Sequence, residues 1–95
     1  MARWLLERRL SQAAERLGQL RVEWAQVDEQ LAVVADAADD HALRAMVSET
    51  PLATQEAAEA RKHAEALRRH RDQIRDELVE LEQRQDRWLD ELARG

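Results

Sequence analysis

His63 and His70 are the residues most suggestive of metal chemistry, because a spacing of seven returns both to one face of a helix. That spacing also separates them by ~10 Å along the helix axis, too far to share one ion. Glu59 and His63 have the i, i+4 spacing of a helical ligand pair, yet they supply two ligands at most, and His41 stands alone. Ser11 and Ser48 have no base and orienting group at a spacing that would activate a hydroxyl, and no glycine-rich loop is present to cradle a phosphate. Cysteine is absent, which excludes disulfides and thiolate metal sites. No catalytic residue, cofactor site or metal site is therefore expected, and the chain reads as non-enzymatic. The other concentration of charge is acidic. Between Gln26 and Ala60, Asp28, Glu29, Asp36, Asp39, Asp40, Glu49, Glu56 and Glu59 are opposed only by Arg44.

The elements that carry these groups are legible from the apolar spacing. Leu6, Leu10, Ala13, Leu17, Leu20, Trp24, Val27, Leu31, Val34 and Ala38 follow one another by alternating steps of four and three. Ala53, Ala57, Ala60, Ala64, Leu67, Arg71, Ile74, Leu78, Leu81, Gln85, Trp88 and Leu92 do the same. A mean step of 3.5 keeps one stripe of a helix against a partner over many turns. The fold expected is all-α: an antiparallel helical hairpin of coiled-coil type, forming one domain over residues 1–95. The first helix is expected over 2–38 and the second over 51–93. Thr50 followed by Pro51 is the start signal of the second helix, since proline at the first helical position sacrifices no hydrogen bond. The connection 39–50 is expected to hold a short apical helix over about 41–47, capped by Asp39 or Asp40. Pairing the seams so that Leu10 meets Leu81 also brings Arg16 near Glu77, Asp28 near Arg68 and Arg3 near Trp88. Arg71 then lies within reach of the Trp24 indole.

Composition narrows the class further. Charged residues make up 37% of the chain and the net charge is −5, with aromatics limited to three Trp. The basic band Arg61, Lys62, Arg68, Arg69, Arg71 and Arg75 is interleaved with Glu65 and Asp72, so it does not form the continuous positive face of a nucleic-acid binder. Nothing resembles a leader peptide or a membrane span, and a cytoplasmic setting is expected.

Two surface features point to protein partners. Away from the seam, the first helix carries a second stripe of small residues, Ser11, Ala14, Gly18, Ala25, Ala32 and Ala35, with Trp4, Leu5, Val22 and Val33 nearby. A glycine in mid-helix costs up to ~1 kcal/mol relative to alanine, and close approach of another helix would give Gly18 a purpose. Trp4, Leu5, Ser11, Ala14, Gly18, Val22, Ala25 and Ala32 are thus the candidate interface of a homodimer, a four-helix assembly. At the apex, Asp36, Asp39, Asp40, Leu43, Met46 and Val47 read either as a docking tip for a protein partner or as a plug over the end of the seam.

Two resemblances bear on function. The run Leu20 to Leu31, with Arg21 and Asp28, resembles the first-helix pattern of the small all-helical chorismate mutases. That family grips a dicarboxylate with a set of cations, and Arg21 matches its first arginine. The next cation of the pattern, ten residues after Asp28, is Ala38 here. The acidic apex on a hairpin is also similar to the coiled-coil fingers that enter the secondary channel of RNA polymerase, in which case Asp36, Asp39 and Asp40 would act at the tip. Those fingers normally carry a globular anchoring domain, and none is expected from these 95 residues. The expected function is an interaction or assembly module that self-associates through its first helix. A regulatory finger is the alternative, and a chorismate-mutase-like enzyme a more remote one.

Overall fold

A computed structural model describes residues 1–95, and it is a hairpin of two helices. Helix α1 runs Arg3–Ser48 and helix α2 runs Pro51–Arg94, 46 and 44 residues. Only Glu49 and Thr50 lie between them. The expected pause at Ala38 and the separate short helix over 41–47 do not exist, because α1 continues unbroken through that segment. The physical reason lies in residues 39–48, which contain neither Gly nor Pro and continue the seam at its own spacing. His41 and Ala45 take the next two positions, and both are half-buried. His41 is polar, so an inventory of apolar residues ends one step too early.

The turn is built as its residue types require. Glu49 stops α1 by adopting φ 53°, the left-handed conformation of a helix C-cap, while its N–H still donates to the Ala45 carbonyl at 3.1 Å. Thr50 caps α2: its Oγ1 accepts from the Ala53 N–H at 3.2 Å, and its carbonyl accepts from the Thr54 N–H. Pro51 occupies the first helical position, where its missing N–H leaves no bond unmade.

The chain divides into two compact units. The terminal unit comprises Met1–Trp24 with Gln73–Gly95, and the turn unit comprises Ala25–Asp72. In the terminal unit the seam closes over Leu6, Ala13, Leu17, Leu20 and Ile74, with Leu17 and Leu20 almost wholly removed from solvent. Arg16 Nη2 reaches Glu77 at 3.0 Å, the pairing that the seam spacing predicts, and Arg21 reaches Glu82 at 3.8 Å. The guanidinium over Trp88 is that of Arg9, 6.0 Å from the ring centre, while Arg3 turns to Glu7 on its own helix.

In the turn unit only Leu31 and Ala64 are fully buried. Asp28 pairs with Arg71 at 3.2 Å, where Arg68 was expected. Both displaced pairings, at Asp28 by three residues and at Trp88 by six, move in the direction that a two-residue connection demands. Every other position of both seams is at least half-buried. Arg71, the one charged seam residue, does not lie on the Trp24 indole: Nη1 donates to Asp28, and Nε and Nη2 donate to Asp72 at 3.3 Å. The hydrogen bond to Asp28, opposed by partial desolvation, raises its pKa further above the ordinary arginine value, so its charge is permanent.

Candidate interaction surface

The outward face of α1 is assembled by helix periodicity alone. In the terminal unit Trp4, Ser11 and Gly18 recur every seven residues and lie on one side of α1, and in the turn unit Ala25, Ala32, Asp39 and Met46 do the same, in both cases away from the seam positions. All seven are exposed. Trp4 is 65% accessible, Ala14 and Val22 are also exposed, and Leu5 is half-buried. A Cβ added to Gly18 would meet nothing within 4 Å, so within the chain this glycine is not required for packing.

Near the turn, the last three turns of α1 carry two triads in matching order. Asp36, Asp39 and Asp40 precede Leu43, Met46 and Val47 by seven residues each, and all six are exposed. Val47 is 86% accessible, which excludes a plug folded over the end of the seam. The three aspartates have no side-chain partner within the chain. Beside them, His41, Leu43, Arg44, Val47, Ser48, Ala53 and Glu56 line a largely apolar groove of about 440 Å³. One edge is held by His41 Nδ1 facing Glu56 Oε2 at 4.0 Å. Composition could have suggested the patch, but not the groove, which depends on α1 continuing past Ala38.

A smaller groove of about 340 Å³ lies in the terminal unit, lined by Arg9, Gln12, Ala13, Arg16, Leu81 and Trp88. Sequence reasoning missed it because it placed Arg3 over Trp88. Arg21, the residue on which the mutase resemblance depends, is exposed and directed to Glu82. His63 and His70 are exposed, and no group of three potential metal ligands comes together. Every buried side-chain polar atom has a hydrogen-bond partner. Neither helix is long and apolar enough to cross a membrane. Comparisons with known protein families, with curated proteins and with solved structures give no match.

Proposed function

We propose that this chain is a non-enzymatic assembly module that forms a homodimer through the outward face of α1. The observation that carries the reading is a mismatch between what is buried and what is exposed. Seven apolar residues are fully buried, whereas ten large ones are exposed, including Trp4, Val22, Val33, Leu43, Met46 and Val47 on α1. The accessible surface is 6976 Å², where ~5600 Å² is expected of a folded monomer of 11.0 kDa. Association that covers the α1 face would remove apolar surface at ~25 cal/mol per Å².

Light scattering across a concentration series tests the proposal. A mass of twice 11.0 kDa or a higher multiple is expected, and Gly18→Arg should weaken association by projecting a long cation from the middle of the face. A persistent monomer would overturn self-association. It would favour the second reading, a finger that docks into a larger machine, which is supported by the unpaired Asp36, Asp39 and Asp40.

A further inference from the structure

We infer that the last turns of α1 dock a basic amphipathic helix of another protein, its apolar residues on Leu43 and Val47 and its cations on Asp40 and Asp36. The whole site lies within the turn unit. Asp36, Asp40, Leu43 and Val47 follow one another by steps of four, three and four, so they form one stripe along the helix, and all four are exposed. From Asp36 to Val47 the stripe is ~16 Å long, which three turns of a second helix can cover. Leu43 and Val47, with Ala53 of α2, line the apolar groove of about 440 Å³, room enough for a large side chain. This contact stands apart from the proposed dimer, whose candidate residues end at Ala32.

Charge identifies the occupant. From Asp36 to Glu56, Asp36, Asp39, Asp40, Glu49 and Glu56 are opposed by Arg44 alone, and the carboxylates of Asp36 and Asp40 have no partner in their own chain. A docked cation would meet both of them, whereas a nucleic acid or an anionic membrane would be repelled. Two copies of the site would repel each other for the same reason. Nor does the rest of the chain supply a matching ligand: Leu43 and Val47 are the only exposed large apolar residues that stand four apart, and the basic residues Arg61, Lys62, Arg68 and Arg69 have none beside them. The complement is therefore a helix of a different protein, with two apolar residues four apart and cations three and seven positions from the second. Because the steps four, three and four read the same in both directions, this order of residues fits the stripe without a second arrangement.

The probe is a fluorescein-labelled peptide of about 18 residues, long enough to hold a helix, with Leu at the two apolar positions, Arg at the two cationic ones and Ala and Gln elsewhere. Its twin carries Glu in place of Arg. By fluorescence anisotropy with the full chain, the Arg peptide should bind at least about tenfold more tightly than the Glu peptide. Asp36→Lys with Asp40→Lys should reverse that preference, a result that general attraction to an acidic protein does not produce. Leu43→Ser with Val47→Ser should weaken the Arg peptide at least about tenfold and leave the helical circular dichroism unchanged, since both side chains are exposed. Equal affinity for the two peptides, binding of neither, or binding that ignores the loss of Leu43 and Val47 would each overturn the inference. So would a fall in the mass of the unliganded protein on Leu43→Ser with Val47→Ser, which would put a second copy on the patch. A monomeric mass for the unaltered chain, with the peptide preference intact, would instead overturn the proposed dimer and leave this site standing.

Discussion

The two helices share one kind of seam and differ on their outer sides. α2 presents Arg, Glu, Asp, Lys and Gln there, and its exposed large apolar residues are limited to Leu52, Val79 and Leu89. Several of its charges are paired locally, Arg61 with Glu65 and Arg84 with Glu80 at i, i+4 spacing. Such pairs are worth a few tenths of a kcal/mol each and keep a helix soluble on that side. α1 places alanines, glycine, valines and a tryptophan among Arg8, Glu15 and Glu29 at the equivalent outer positions. A seam requires only that two stripes match. The outer side is constrained by what lies beyond the hairpin, and the contrast is the one that the proposed association through α1 would require.

That contrast can be broken from the inside outward. Leu20→Ala removes a fully buried seam residue and should cost about 2 to 4 kcal/mol, read as a lower urea midpoint, whichever helix faces a partner. Val22→Glu with Val33→Glu should preserve the helical circular dichroism but weaken association at least about tenfold by sedimentation, since it places charge on the α1 face. Val79→Glu on α2 should alter neither reading; equal effects from both helices would erase the difference between the two outer sides. Thr50→Ala removes the cap on α2 and should lower stability by about 1 kcal/mol. The smallest effect expected is from Gly18→Ala. With open space around its Cβ, a monomer should gain up to ~1 kcal/mol of helix stability, and loss of association instead would locate close helix contact at that position.

The seam, the start of α2 and the Arg16 to Glu77 pairing were legible in the sequence, because heptad spacing and a Thr-Pro cap are local signals. The end of α1 was not. His41 interrupts the apolar pattern, and two adjacent aspartates imitate a cap, yet both are simply helical residues when the seam below them continues. From that one displacement came the shifted pairings at Asp28 and Trp88 and the missed groove. The candidate surface was easier to name than to interpret. Small and apolar residues off the seam mark α1 as unusual, but only the exposure of Leu43, Met46 and Val47 distinguished an open patch from a plug.

The two-residue turn has a kinetic consequence. Contacts beside it close short loops, whereas Arg71 reaches Asp28 across 43 residues and Arg16 reaches Glu77 across 61. Loop-closure entropy grows with that separation, so zipping that starts at Glu49–Thr50 defers the costlier closures. The turn unit nevertheless buries only Leu31 and Ala64, while five buried residues lie in the terminal unit. The hairpin is thus expected to begin folding where it is least tightly held. Its nascent turn would form early and reopen often, until closure of the Leu17 and Leu20 layer makes the fold persist.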